Sequence, residues 1–228
     1  MKIIDVTQGS YEWLLARRGI PTASEFDCIL TAKTMKYSAA AKAYIHQLIA
    51  DLADPYYGQV EDFVSAAMKN GMQMEPSARK WYEFDRDCKV EQVGFITTDD
   101  GRMGYSPDSL IGEDGLLELK CPELKTHVGY LLDPTKMVDA YRHQCHGGLI
   151  VTGRKWIDLA SYSEALPPVV VRVEPDEYTD ALKEALVTFW DEYQDALAKI
   201  KAMGWTPAPM QPKPEEGPSS PQAAALCV

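Results

Sequence analysis

After Asp87 the hydrophobic period of this chain changes from helical to strand-like, and that change constrains the fold more than any other feature. Lys89 to Thr97 reads as a strand, with Val90, Val93, Phe95 and Ile96 as its apolar residues. Asp99-Asp100-Gly101 is a hairpin turn signal. Met103 to Leu110 reads as a second strand and Gly112-Glu113-Asp114-Gly115 as another turn. Leu116 to Lys120 reads as a third strand, closed by Cys121-Pro122.

Helical patterns flank this run. Ser10 to Arg18 reads as a short helix with Tyr11, Leu14 and Leu15 on one face, broken by Gly19-Ile20-Pro21. Thr22 or Ser24 is expected to cap a second short helix through Leu30. Residues 38–53 read as an amphipathic helix, and 62–86 as a longer one in which Pro76 predicts a kink or break. Residues 136–151 read as a helix, Trp156 to Tyr162 and Val169 to Val173 as strands, and 176–202 as a long final helix. The order (helices, three antiparallel strands, helix, two strands, helix) predicts a mixed α/β domain over residues 1–205. A tail rich in Pro, Ser, Gln and Ala follows over 206–228, linker-like in composition.

The net charge is −11, which argues against a protein that coats nucleic acid by charge alone. Local grip on DNA by an enzyme stays compatible with it, because metal-holding carboxylates count as negative until their ions arrive. Five cysteines without a C-x-x-C pair signal neither a disulfide framework nor a zinc ribbon. No apolar run is long enough for a membrane span, and the first residues lack the apolar core of a signal peptide, so a cytoplasmic location is expected.

The chemistry-bearing residues gather on the second and third strands. Asp108 follows Ser106-Pro107, and Glu118-Leu119-Lys120 comes ten residues later, beyond a turn. Residues i and i+2 of a strand share a face, so Glu118 and Lys120 project together while Leu119 points into the core. Antiparallel pairing can bring Asp108 alongside Glu118. Two converging carboxylates make a hard oxygen site suited to Mg²⁺ or Mn²⁺, to which the Leu119 carbonyl can add a ligand. Lys120 beside that site can stabilise developing phosphorane charge, or orient and help deprotonate an attacking water. Taken alone, an E-x-K in a strand is an ordinary solvated ion pair. The pattern P-D…E-x-K on adjacent strands, after a helix with a further acid, is much more specific.

That pattern resembles the PD-(D/E)-x-K nuclease superfamily, and within it the phage lambda exonuclease or YqaJ-type viral recombinase family. The resemblance runs over about residues 6–200. Its motifs are Trp13 through Arg17 with Gly19, then Thr22-Ala23-Ser24-Glu25. Gly71-x-x-x-Glu75 follows, then Ser106-Pro107-Asp108, Glu118-Leu119-Lys120-Cys121-Pro122 and Tyr141-x-x-Gln144. It implies a restriction-endonuclease-like mixed central sheet flanked by helices. It implies Asp108 and Glu118 as metal ligands, Asp108 bridging two ions, and Lys120 as the catalytic lysine. Glu75 would complete the metal environment or hold a water, Gln144 would position the water or the lysine, and Tyr141 would support Gln144. Arg17 would bind a terminal 5′-phosphate, helped by Ser24.

The activity implied is Mg²⁺-dependent 5′→3′ exonucleolytic hydrolysis of one strand of linear duplex DNA from 5′-phosphorylated ends, leaving 3′ overhangs. A homotrimer, a phage or prophage origin and a single-strand annealing partner are implied as well. The alternatives are an endonuclease of the same fold and an inactive DNA-end-binding protein. Tyr56-Tyr57 and the loop Thr31–Tyr37 are candidates for touching the duplex, although that loop is shorter than its counterpart in the family. Cys121, His127, His143, Cys145 and His146 lack the paired spacing of a second metal centre.

Overall fold

The computed structural model describes residues 1–59 and 66–211, with side chains from residue 73 onward in the second range. Six α-helices are described: α1 (Tyr11–Arg17), α2 (Ala41–Ala53), α3 (Ala66–Arg86), α4 (Leu124–Leu132), α5 (Thr135–Thr152) and α6 (Glu177–Ala202). A 3-10 helix spans Ala23–Cys28. The strands are β1 (Lys2–Ile4), β2 (Val90–Glu91), β3 (Phe95–Thr97), β4 (Gly104–Tyr105), β5 (Ser109–Ile111), β6 (Gly115–Lys120), β7 (Trp156–Ser161) and β8 (Val169–Val173).

These strands form two sheets, a three-stranded one in the order β1-β3-β4 and a five-stranded one in the order β2-β5-β6-β7-β8. The fold is a mixed α/β arrangement whose larger sheet pairs antiparallel except at β6–β7, which is parallel. A parallel neighbour needs a crossover, and α4 and α5 supply it.

Two expected strands turn out to be four. The stretch 89–97 divides into β2 and β3, and 103–110 into β4 and β5, each half joining a different sheet. Pro107 explains the second division: it has no N–H to give a ladder, so Ser106-Pro107-Asp108 becomes the passage between sheets. Asp108 therefore precedes β5 and does not end a longer strand. Pro76 neither breaks nor ends α3, which continues through it. Thr22 stands at the N-cap of the 3-10 helix without a side-chain cap bond, and Ser24 lies inside its first turn. Strand β1 and helix α4 were not anticipated. Residues 62–65 of the expected third helix and 212–228 of the tail lie outside the described residues.

Alternation along β6 divides the core. Leu116 joins the main cluster with residues of α2, α5 and α6. Leu117 and Leu119 face the other way, packing with Ala78 and Tyr82 of α3 and Ala160 of β7. Glu118 and Lys120 thus share the face of Leu116, toward α5. Helix α3 is pinned to the opposite face by a network around the buried Asp158. Tyr82 donates to Asp158 Oδ2 at 2.6 Å, and Arg172 donates to the two Asp158 oxygens at 2.8 and 2.9 Å.

Helix α5 makes two close approaches from adjacent glycines. A Cβ at Gly147 would lie 2.6 Å from the Phe26 ring, and one at Gly148 would lie 2.7 Å from the Tyr105 ring. The 3-10 helix and β4 are thereby pressed onto one turn of α5. The described beginning of the tail is held too: Ala208 N–H donates to the Leu52 carbonyl at 3.1 Å and Gln211 N–H to the Pro55 carbonyl at 2.9 Å. Among the described residues no helix is long and apolar enough to cross a membrane.

Candidate active site

The end of β6 sets the geometry. The Lys120 carbonyl accepts from Tyr162 N–H at 2.9 Å, on the β7 side. By the alternation of a ladder, the Leu119 N–H and carbonyl then face the β5 side. Pairing with β5 stops at Leu117, opposite Ser109. The Leu119 backbone therefore extends past its neighbour, and its N–H donates to Asp108 Oδ2. Its carbonyl stands on the same edge, beside the carboxylate.

Glu118 is buried and hydrogen-bonded at both carboxylate oxygens. Its Oε1 accepts from Lys120 Nζ at 2.7 Å and from Gln144 Nε2 at 2.7 Å. Its Oε2 accepts from the Tyr105 hydroxyl at 2.6 Å. Lys120 Nζ also donates to Gln144 Oε1 at 3.1 Å, closing a triangle of Glu, Lys and Gln. The ammonium lies 4.6 Å from the Tyr141 ring centroid, a cation–π distance. Gln144 and Tyr141, three apart on α5, thus serve the same lysine.

The site carries more negative charge than Lys120 neutralises. Burial, and then the charge of Glu118, push the Asp108 carboxyl well above the ordinary carboxylate range. Burial raises Glu75 as well, against the pull of Arg79 and Lys120 and with a further push from Glu118. For Lys120, burial acts downward, but Glu118 and Asp108 outweigh it and hold the amine above the usual lysine value. Among the described residues Glu75 makes no hydrogen bond to Asp108, Glu118 or Lys120; it joins them through the field alone. It lines, with Asp108, Arg79 and Gln8, a cleft of about 640 Å³. Arg79 braces this side, donating to Ser109 Oγ at 3.1 Å. Carboxylate oxygens, a strand-edge carbonyl and uncompensated negative charge fit a hard divalent cation. Asp108, Glu118 and the Leu119 carbonyl would hold it, with Glu75 nearby.

A second cluster forms around Arg17. Its guanidinium donates to Ser106 Oγ at 3.3 Å and to Thr22 Oγ1 at 3.2 Å, and lies 4.4 Å from the Trp13 ring centroid. Trp13 Nε1 donates to the same Ser106 oxygen at 2.9 Å. The hydroxyls of Thr22 and Ser24 are 3.2 Å apart, so Ser24 reaches Arg17 through Thr22. Burial lowers the Arg17 pKa, against the opposing pull of Tyr44, Tyr57 and Glu25. Beside it lies a pocket of about 190 Å³ lined by Thr22, Tyr44, Gln47 and Tyr57 among others. Arg18 has a different task. It donates to the Asp51, Leu52 and Asp54 carbonyls at 2.7 to 2.9 Å, satisfying the C-terminus of α2.

Other sequence candidates disperse. The loop Thr31–Tyr37 is closed on itself by Thr31–Thr34 and Thr31–Lys36 hydrogen bonds, and Tyr37 is tied to Glu192 of α6 at 2.8 Å. Tyr56 is exposed. His127 pairs with Ser161 at 2.7 Å and His146 with Thr179 at 2.7 Å, so they join no common cluster. Among the described residues, the side chains whose ligand atoms lie within 4.8 Å of one another as a group of three are Glu25, Asp27 and Cys28. They sit apart from the Asp108 edge, on the 3-10 helix, with both acids exposed. Sequence reasoning missed Tyr105, Ser106 as a bridge, and Arg79. Tyr105 and Ser106 immediately precede Pro107-Asp108, and Arg79 lies one helical turn beyond Glu75. Position beside the acids was the available signal.

A mixed sheet with Glu118 and Lys120 at the end of its central strand, and Asp108 beside that end, places the molecule among nuclease folds. The solved structure of an alkaline exonuclease from Laribacter hongkongensis superposes with a TM-score of 0.73 at 28% identity, over 86% of this chain and 98% of that one. The same enzyme in complex with dAMP gives 0.72 at 29% identity, over the same shares of the two chains. A phage-related exonuclease from Haemophilus somnus 129PT shares the fold at a TM-score of 0.61 and 14% identity, over 79% of this chain and 96% of that one. No curated protein gives a significant match. The family description of a YqaJ-like viral recombinase domain matches residues 12–155. The chain belongs to that family.

Proposed function

We propose that this protein is a metal-dependent DNA exonuclease that hydrolyses one strand of linear duplex from a 5′-phosphorylated end, leaving a 3′ overhang. The observation that carries the reading is Ser106. Its hydroxyl takes hydrogen bonds from Arg17 and Trp13, and it stands two residues before Asp108. The Arg17 guanidinium is therefore fixed one short loop from the acid–lysine set, which supports a role for it at a terminal phosphate. Arg17 presents a fork of donors suited to a terminal phosphate dianion, and Thr22 and Ser24 add hydroxyls. Burial of that cation is compensated when the phosphate arrives.

A bound Mg²⁺, or Mn²⁺ in its place, supplies Lewis acidity and a more acidic water; two such ions are in keeping with the family likeness. The rest is done by the chain. Asp108 is held in place by the Leu119 N–H, and Glu118 by Lys120, Gln144 and Tyr105. Lys120, kept as an ammonium by its acidic neighbours, stabilises negative charge gathering on the scissile phosphate. Gln144 fixes the lysine and orients the attacking water, with the Tyr141 ring beneath the ammonium. Residues 1–205 form the nuclease domain. By the same likeness the working form is a homotrimer around DNA, acting with a single-strand annealing protein in phage-type recombination inside a bacterial host.

The test is digestion of three substrates with Mg²⁺: linear duplex with 5′-phosphate, linear duplex with 5′-hydroxyl, and a covalently closed circle. Degradation is expected from the 5′-phosphorylated end, with the circle intact. Arg17→Ala should reduce the preference for phosphate over hydroxyl by roughly 10–100-fold, the worth of about 1.5–3 kcal/mol in charge-assisted hydrogen bonds. Cleavage of the circle, or release from 3′ ends, would sink the reading.

A further inference from the structure

We infer that Tyr105 is a positioning residue that sets the affinity of the site for its divalent cation, acting through Glu118. The inference rests on the proposed metal-binding role of Glu118 and adds to it a residue and an oxygen.

The geometry fixes which oxygen matters. A carboxylate offers about four lone-pair positions over its two oxygens. Two donors, Lys120 and Gln144, meet at Oε1, both at 2.7 Å, and one, Tyr105, meets Oε2 at 2.6 Å. Oε1 is thereby filled, and the remaining lone pair belongs to Oε2. The oxygen left to face a cation is the one that Tyr105 holds. The hydroxyl that orients the carboxylate is thus attached to the ligand atom itself, whereas Lys120 and Gln144 act on the far side.

Tyr105 is itself immobile. It is 1% exposed, and its ring lies so close to Gly148 that a Cβ there would come within 2.7 Å. Gly148 is one helical turn beyond Gln144 on α5, so the helix that grips Oε1 also braces the ring that grips Oε2. Glu118 is clamped from β4 and from α5 together. Hydrogen bonding by a neutral hydroxyl withdraws some electron density from Oε2, which weakens a ligand, and removes rotational freedom, which strengthens it. Outer partners of metal ligands typically cost about 10–100-fold in metal affinity or activity when removed, so the second effect dominates. A purely structural tyrosine would show no such dependence.

The test is Mn²⁺ binding to the full-length chain without DNA, by calorimetry and by the loss of the free-ion electron paramagnetic resonance signal. Tyr105→Phe, which removes one oxygen and keeps the ring, is expected to weaken Mn²⁺ binding about 10-fold. The Mg²⁺ concentration for half-maximal cleavage should rise by the same factor, with kcat at saturating metal nearly retained. Gly148→Ala, which keeps the hydroxyl but displaces the ring, is expected to weaken binding in the same direction. Unchanged Mn²⁺ affinity in Tyr105→Phe, with a native circular dichroism spectrum, would overturn the inference. Glu118→Gln distinguishes the underlying reading: if it binds Mn²⁺ as tightly as the parent, the metal assignment of Glu118 falls, and the role of Tyr105 with it.

Discussion

Two buried carboxylates stand on neighbouring strands, Glu118 on β6 and Asp158 on β7, and they are built from similar parts. Each is 2% exposed, each accepts a 2.6 Å hydrogen bond from a buried tyrosine, and each is paired with a cation. Their surroundings differ. Asp158 takes both donors of the Arg172 fork, whose guanidinium also lies 3.6 Å from the Trp156 ring centroid, and carries one negative charge against one positive. Glu118 has a single-point lysine and shares its neighbourhood with Asp108 and Glu75, so three acids stand against Lys120 and Arg79. The first arrangement is closed and locks α3 to the sheet. The second is left short of positive charge. Burial and a tyrosine do not mark a functional acid; an uncompensated neighbour does.

Exchange of one carboxylate at a time separates these roles. Glu118→Gln should keep the fold and lower the rate of DNA hydrolysis by on the order of 10³-fold, as expected when preorganised charge at a reacting phosphate is lost. Steady-state cleavage of 5′-phosphorylated duplex reads this out, and retention of more than a tenth of the activity would make Glu118 another Asp158. The reverse holds for Asp158→Asn. It should lower stability by about 2 kcal/mol, the scale of a lost hydrogen bond to a charged group, because Arg172 is half-exposed and its charge is partly screened. Its folded fraction should still cleave DNA; urea melts alongside activity at low temperature check both.

The smallest effect has the most diagnostic sign. Asp108 is held above its unfolded value, so the folded state keeps its proton over a range in which the unfolded chain has released it. Stability of the metal-free protein therefore falls as pH rises through the interval between the ordinary and the raised value. Asp108→Asn removes that penalty. It should raise the melting temperature at neutral pH, by ~2–4 °C for each kcal/mol recovered, and the gain should vanish below the ordinary carboxylate range, where both states are protonated. Differential scanning calorimetry with a chelator gives the curve. A variant less stable than the parent at neutral pH would mean that Asp108 is a satisfied structural acid.

Much of the site was legible because its logic is local. Glu118 and Lys120 are two apart in a strand, and Gln144 and Tyr141 are three apart in a helix; those periods alone put each pair on one face. Glu75 and the Ser-Pro-Asp step came from motif resemblance. The division into two sheets at Pro107 had a local signal, the polar run Ser106-Pro107-Asp108-Ser109 with a proline that gives no ladder N–H, and reading one strand through it missed that signal. The rest of what escaped depends on contacts distant in sequence. Strand β1 pairs with β3, more than ninety residues on, and no local signal announces so short a strand. Helix α4 leaves Leu124, Val128 and Leu132 exposed, so its apolar residues mark no buried stripe. Neighbouring Arg17 and Arg18 could not be told apart by type, since only the fold shows that one faces Ser106 and the other the end of α2.

The paired glycines of α5 have a mechanical consequence. Gly147 receives the 3-10 helix that holds Ser24 against Thr22, and Gly148 receives the ring that holds Glu118. Adjacent residues of a helix point about 100° apart, so the Ser24–Thr22 cluster and the Glu118 cluster are keyed to the same turn of the same rod. The gap between them is a gauge cut into backbone, with no side chain to stretch or compress.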